Sequence, residues 1–437
     1  MKRLSFKLLL SMFLLSNFSL SAYDLSSLLD LAASGSLELK IEKIRIDEER
    51  YEERKIHNTF VPNVSGSLGH SRQAYLDKSL FSIFGTQYYS TLMSIEMVQS
   101  YPGLGRIPKI QERIAELKTF FKKVEYEKTI ELVKKQMIKL FFDYALEKEL
   151  TVIDKENLRL LNKLLDVAKI KQSVGLVLIN DILRVEVEIA NYESAVESRQ
   201  FTMQNIQTDM ANLVNATNPE SLTLDLPKNL EFATASLEFA AIESMMISED
   251  HEIKLARMDC QLVEKFLSGE QAARLPTFNV SSKYNTQNVN DIYKNVRDYS
   301  VNFSLSFPIF DSGDIKNEFS RQRKTLERLR LALQNKINQK KTILKKSWTD
   351  YREMSSKLRF AAKALEQSRE NMRMMMARYE AGEASIIEMI DAQLTLSKSL
   401  INQAQSHRDE RIRLAEIYFL SRNTTGYENL DKMEISK

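Results

Sequence analysis

The 437-residue chain is poor in the residues that break or cross-link proteins: one cysteine, seven prolines, eleven glycines and four histidines. A lone Cys260 excludes an intrachain disulfide and a cysteine-based metal cluster, and it lies too far from the start to carry a lipid anchor. His57, His70, His251 and His407 show no ligand spacing. No glycine-rich phosphate loop, nucleophile elbow or metal motif occurs, so the expectation is a non-enzyme with no cofactor and no metal. No window beyond the first residues approaches 18 uncharged apolar residues, which excludes a transmembrane helix. An exported chain of this kind is either soluble or enters a membrane as β-strands.

The start of the chain reads as an export signal. Lys2, Arg3 and Lys7 form a basic region, Leu8 to Leu15 an apolar stretch, and Ser19-Leu20-Ser21-Ala22 a small-residue cleavage site, which predicts a signal peptide over 1–22. Its removal takes the formal charge from +3 to zero. Bulk charge then gives no reason to expect nucleic acid as a partner.

The few breakers that exist are placed regularly. No glycine or proline separates Gly313 from Gly382, 69 residues apart, or Gly382 from Gly426. Stretches so rich in Leu, Lys, Arg, Glu and Gln predict helices, the longer about 100 Å at 1.5 Å per residue. The pattern occurs twice. Gly105 and Pro108 open an earlier run to Gly175, Pro102 precedes it as Pro308 precedes the later one, and Gly175 lies 207 residues before Gly382. Recurrence at one offset indicates an internal duplication. The predicted organisation is a first repeat over 23–215, a linker over 216–236, a second repeat over 237–422 and a polar tail over 423–437.

Within each repeat the period changes from helical to two after a proline. Helical patterns over 24–58 and 237–273 end at Pro62 and Pro276. Strands follow at about 61–72 and 86–98, and at about 276–286 and 298–308, with polar loops over 71–86 and 286–298 between them. The clearest alternation sets Val301, Phe303, Leu305 and Phe307 on one face and Asn302, Ser304 and Ser306 on the other, over about the length that crosses a bilayer when tilted. Met93, Ile95 and Met97 share a face in the first repeat.

Four strands cannot close a membrane barrel, since single-chain barrels begin at about eight. Strands that span lipid therefore require several chains, whereas a soluble β head would need only one. In the last helix Ile387, Ile390, Leu394 and Ile401 follow coiled-coil spacing, continued by Ser397 and Ala404, and predict packing against neighbouring chains. Met372, Met374, Met375 and Met376 read as helix packing rather than metal handling.

Five motifs occur in a duplicated order. They are Leu275-Pro276; Leu305-Ser306-Phe307-Pro308-Ile309-Phe310-Asp311-Ser312-Gly313; Arg378-Tyr379-Glu380-Ala381-Gly382; Val174-Gly175-Leu176-Val177; and Ile390-Asp391-Ala392-Gln393. In these the chain resembles the TolC family of outer-membrane efflux proteins over nearly its whole mature length. The resemblance implies a mainly α fold with a membrane β-barrel: a homotrimer with a twelve-stranded barrel in outer-membrane lipid and a twelve-helix tunnel in the periplasm. It implies a passive exit duct for efflux or type I secretion, with a periplasmic adaptor protein and an inner-membrane pump as partners. The competing expectation is an exported coiled-coil spacer with a small β head.

Glu388 and Asp391, three residues apart, share a helical face. The resemblance places them, with Tyr379 and Asp181, at a narrow periplasmic gate. There crowded acids would have raised pKa values, and a phenol-to-carboxylate contact would latch two hairpins. Ala384 stands where relatives can carry a cationic latch residue. Gly175 and Gly382 mark the hairpin turns. Pro62, Pro102, Pro276, Pro308, Gly105 and Gly313 mark the junctions of strand and helix.

Overall fold

A computed structural model of the chain describes residues 23–74, 87–175, 177–219, 222–226, 238–289 and 293–422. The expected signal peptide, the tail over 423–437, Leu176, Pro227 and much of both the first polar loop and the linker lie outside the described residues.

Eight helices and four strands occur among the described residues. The helices are α1 Leu25–Gly35, α2 Leu37–His57, α3 Arg106–Ser173, α4 Ile179–Val214, α5 Phe239–Glu249, α6 His251–Ala272, α7 Asp314–Glu380 and α8 Ile386–Leu420. The strands are β1 Asn63–Ala74, β2 Gln87–Tyr101, β3 Thr277–Val289 and β4 Tyr293–Ser306. The duplication is visible in the lengths. Helices of 11, 21, 68 and 36 residues in the first half return as 11, 22, 67 and 35 in the second.

Two expectations need correction. The helical patterns over 24–58 and 237–273 are each two helices, divided at Ser36 and Asp250. Both residues hold ψ 128°, with φ −54° and −58°, and each donates its backbone N–H four residues back, to Ala32 and Met246. Gly35 stands beside the first break, whereas no glycine or proline marks the second, which carries no strong signal in composition. The second polar loop is also shorter than expected, because β4 begins at Tyr293. The ladder continues through Tyr293-Lys294-Asn295-Val296-Arg297-Asp298, where apolar residues no longer alternate with polar ones.

The chain divides into two compact bodies. One comprises residues up to 41, 126–251 and from 337 onward. Its core takes Leu25, Leu28, Leu29 and Ala32 from α1, spaced by three and four as one helical stripe requires. Met137, Phe141, Phe142, Met210, Leu344, Leu414 and Ile417 complete it. Each such side chain, fully enclosed, contributes about 1.5–3 kcal/mol. Asp24 caps α1 by accepting from the Ser27 N–H at 3.0 Å, and replacing a cap of this kind by alanine costs about 1 kcal/mol. The described part of the linker docks on this body. The Tyr23 N–H donates to the Thr223 carbonyl, the Asp225 N–H donates to the Tyr23 carbonyl, and Leu222 is buried.

The other body, 42–125 and 252–336, holds an antiparallel sheet in the order β1-β2-β3-β4. The repeats join through β2 and β3, leaving β1 and β4 as edges. Its junctions use the expected breakers. Pro62 precedes β1 and Pro276 precedes β3, Pro102 starts the short turn Pro102–Gly105 after β2, and Pro308 follows β4. Gly105 and Gly313 adopt φ of 81° and 88° just before α3 and α7. The Asp311 carboxylate accepts from the Gly313 and Ile315 N–H groups, both at 3.0 Å, and so caps α7.

Residues facing each other across an antiparallel ladder lie on one face. Met97 pairs with Ser282 and Ser282 with Val301; Ile95 pairs with Tyr284 and Tyr284 with Tyr299. Leu68 faces Met93, Val280 faces Phe303, and Phe278 faces both Tyr101 and Leu305. Met93, Ile95, Met97, Val301, Phe303 and Leu305 therefore share one apolar face. The other carries Ser65, Ser67, Ser94, Glu96, Asn279, Ser281, Lys283, Asn302 and Ser304.

Candidate functional site

Both hairpin turns lie in the helical body, and both depend on a left-handed glycine. Gly175 has φ 77° and Gly382 φ 78°, a conformation open to glycine without Cβ strain. After Gly382 the Glu383 N–H returns to the Arg378 carbonyl at 2.8 Å, satisfying one carbonyl at the end of α7. Ser385 then caps α8 in a reciprocal box. The Glu388 N–H donates to Ser385 Oγ at 3.2 Å, and the Ser385 N–H donates to Glu388 Oε2 at 2.8 Å. Asp181 makes the matching return bond at the start of α4, accepting from the Leu178 N–H at 3.4 Å.

The two turns share one apolar cluster, built from Leu164 and Ala168 of α3, Ile182 and Val185 of α4, Met372 and Tyr379 of α7, and Ile386 and Ile390 of α8. Met372 belongs to this packing and Met375 lies against it, whereas Met374 and Met376 are exposed. The coiled-coil seam of α8 is largely covered within the chain. Ile390, Ser397 and Ala404 are at most 2 % exposed, so the expectation that neighbouring chains must cover it does not hold for these positions. The hairpins pack on each other instead.

The expected acids occupy different surroundings. Glu388 is fully exposed, and donation from the Ser385 backbone N–H and hydroxyl holds its carboxyl below the usual range. Within one chain this is opposite to the rise expected from crowding. Asp391 lies 3.9 Å from Arg184 of α4, both well exposed, a contact worth at most about 1 kcal/mol. Tyr379 is 6 % exposed. Its hydroxyl has no hydrogen-bond partner among the described residues, so it does not bond Asp181 within the chain. Burial pushes its pKa up.

The link across the hairpins runs instead through Lys171, whose Nζ sits 4.0 Å from the centre of the Tyr379 ring and 3.4 Å from the Tyr379 carbonyl oxygen. That carbonyl belongs to the negative end of α7, where a cation is favoured. Lys171 and Arg184 thus bring two cations to this turn from the other hairpin. Farther along, Asn157 of α3 donates to Ser397 Oγ at 2.8 Å and accepts from Gln393 Nε2 at 2.6 Å. Tyr192 of α4 also bonds Ser397. Asn157, Gln393 and Ser397 are at most 3 % exposed. The sequence pointed to Ser397 only as a seam position and to Gln393 only within a motif, and to Asn157, Tyr192 and the two cations not at all. No grouping of His, Cys, Asp and Glu fit for a metal occurs among the described residues.

Residues 244–421 match the family described as Outer membrane efflux protein. The match spans nearly all of the second repeat. None of the curated proteins matches the chain by sequence. Among solved structures the outer-membrane channel OprN is similar at 16% identity and a TM-score of 0.78, over 92% of this chain and 90% of its own. The CmeC outer membrane channel of Campylobacter jejuni is similar at 12% identity and 0.79, over 94% and 90%. VceC of Vibrio cholerae, an outer membrane protein, is similar at 13% and 0.76, over 91% and 96%. The efflux-protein fold thus extends across both repeats.

Proposed function

We propose that the chain is one protomer of a trimeric outer-membrane exit duct, which passively conducts substrates delivered by an inner-membrane pump and a periplasmic adaptor protein. It would do no chemistry of its own. The observation that carries this reading is the four-stranded sheet. Its apolar side chains remain in the open, with Leu68 77 % and Phe303 69 % exposed, and neither edge strand has an outer neighbour among the described residues. An exposed edge and an exposed apolar face are liabilities in water. Lipid and further copies of the sheet remove both, and three copies of four strands close a barrel of ordinary size. The polar face then lines the lumen.

In the same reading Glu388, Asp391, Tyr379 and Asp181 stand at the periplasmic mouth, with Gly175 and Gly382 at its tips. Three copies of Glu388 and Asp391 bring six carboxylates to a ring that favours cations. Lys171 and the Asn157–Gln393–Ser397 contacts hold the inner hairpin to the outer one.

Cysteine labelling tests the barrel. In a Cys260→Ala background, cysteines at Asn302 or Ser304 should react with charged thiol reagents in the lumen, and cysteines at Phe303 or Leu305 should be protected by lipid. Extraction of the protein by buffer alone, with equal labelling of both sets, would instead identify a soluble spacer.

A further inference from the structure

We infer that the loop end of the apolar sheet face binds the phosphate groups of phosphorylated lipids in the outer leaflet. The inference rests on the membrane-barrel reading above. From the row of Tyr101, Phe278 and Leu305, the face continues with Val280 and Phe303 beside Gln99, then Val64, Met97 and Val301, then Ile95, Tyr284 and Tyr299. It then changes character at the end opposite the helices. Arg297 faces Thr286, His70 faces Thr91, and Arg72 faces Tyr89. The Arg72 guanidinium lies 5.5 Å from the centre of the Tyr89 ring. The His70 ring stacks on the same tyrosine at 6.2 Å and bonds Thr91 at 2.9 Å. Tyr299 is 68 % exposed one row below Arg297.

Height and charge both point to headgroups. At about 3.4 Å per residue and a strand tilt near 40°, Arg297 stands roughly 20 Å above the Phe278 row and Arg72 roughly 30 Å above it. These heights bracket the upper edge of an apolar band about 25 Å tall. Among the described side chains of the four strands, this face carries no carboxylate. Glu96 and Asp298 point to the other side, where Asp298 accepts from Asn285 at 2.8 Å. A surface with arginines, a histidine and tyrosine hydroxyls at headgroup level, and no acid, is matched to an anion rather than a zwitterion. Guanidinium groups meet phosphate through paired N–H donors. Arg72 sits on one edge strand and Arg297 on the other. Closure of the barrel brings the two edges together, so that phosphates at the seam meet cations from both sides.

The test uses the full-length trimer in phosphatidylcholine nanodiscs, titrated with diphosphoryl lipid A or its dephosphorylated form. Diphosphoryl lipid A should bind at least tenfold more tightly. Arg72→Gln together with Arg297→Gln should weaken it about twentyfold, near fivefold for each cation, while Lys283→Gln on the opposite face should not. Equal affinity for the two lipids, or undiminished binding by the double variant, would overturn the proposal. So would displacement of the lipid by millimolar inorganic phosphate, which would indicate a free-anion site. Trimer yield and conductance of each variant are read in parallel. Failure of the wild-type chain to form a membrane trimer would remove the barrel reading and this one with it, whereas an intact, conducting trimer with no phosphate preference removes only this one.

Discussion

Gln393 of α8 donates to Asn157 of α3 at 2.6 Å, across 236 residues of sequence, where both side chains are almost fully enclosed. Asn157 donates in turn to Ser397. An amide in this position is costly to leave half-matched, because its partners lose their bonds without regaining water.

Asn157→Ala should therefore destabilise the contact between outer and inner hairpins by about 1–3 kcal/mol, offset by up to about 0.7 kcal/mol of gained helix propensity. If the hairpins form the periplasmic mouth, the variant trimer should show a higher single-channel conductance and more frequent openings. A double-mutant cycle with Gln393→Ala measures the coupling. Additive effects would mean that the two amides do not act together.

Tyr379→Phe separates packing from latching. The buried hydroxyl has no partner among the described residues, so its removal should leave conductance unchanged and stability equal or higher by up to about 1 kcal/mol. Lys171→Met should have the larger effect, since it takes the cation from the Tyr379 ring and carbonyl while keeping the apolar stem. A rise in conductance with Tyr379→Phe would show that assembly gives the hydroxyl a partner, with Asp181 the first candidate.

Much of this fold was legible because its signals are local. Val301, Phe303 and Leu305 announce a strand face by alternation alone, and Gly175 and Gly382 announce turns by standing alone in long helices. The break at Asp250 was not legible, since no residue near it forbids a helix, whereas Gly35 beside Ser36 is a helix-end signal that the pattern over 24–58 ran across. The surroundings of the hairpin turns were only partly legible. Glu388 and Asp391 are conspicuous three residues apart, but Lys171 resembles any solvated lysine until the fold sets it against a tyrosine 208 residues away. Asn157 lies in a charged stretch and looks exposed. Contacts of long sequence separation leave no periodicity to read.

His407 should make the helical body sensitive to acid. Its ring is 9 % exposed, and burial, aided by the Arg411 charge, pushes its pKa down to about 4. A base whose folded pKa is lowered takes up protons more readily when unfolded, so stability is full above about pH 6.5 and declines as pH falls toward 4. The loss amounts to about 3 kcal/mol. Glu410 and Tyr351 also face this region. His407→Gln should flatten this part of the curve of melting temperature against pH. An unchanged slope would assign the acid sensitivity to another group.

The last prediction concerns the acids at the start of α8. Removing Glu388 as alanine would confuse two effects, because its carboxylate completes the capping box of α8 with Ser385. Glu388→Gln keeps an acceptor at that position, as the box allows, and Asp391→Asn keeps the shape of its side chain while removing the charge that faces Arg184. The double variant should therefore fold and assemble as the wild type does while losing six negative charges from the trimer. If those carboxylates ring the pore, its preference for cations should fall, and block by divalent or trivalent cations applied from the periplasmic side should weaken. Glu388→Ala should add a loss of helix-start stability, visible as a lower melting temperature that Glu388→Gln does not show. The wild-type cap should also weaken in acid: the Glu388 pKa is depressed, so its contribution is present above the ordinary carboxylate range and is lost as pH falls through the lowered value. Reversal potentials in a salt gradient, measured for wild type and for the Gln/Asn pair, decide the matter. Identical potentials and identical block would place Glu388 and Asp391 away from the ion path and leave them as helix-start acids.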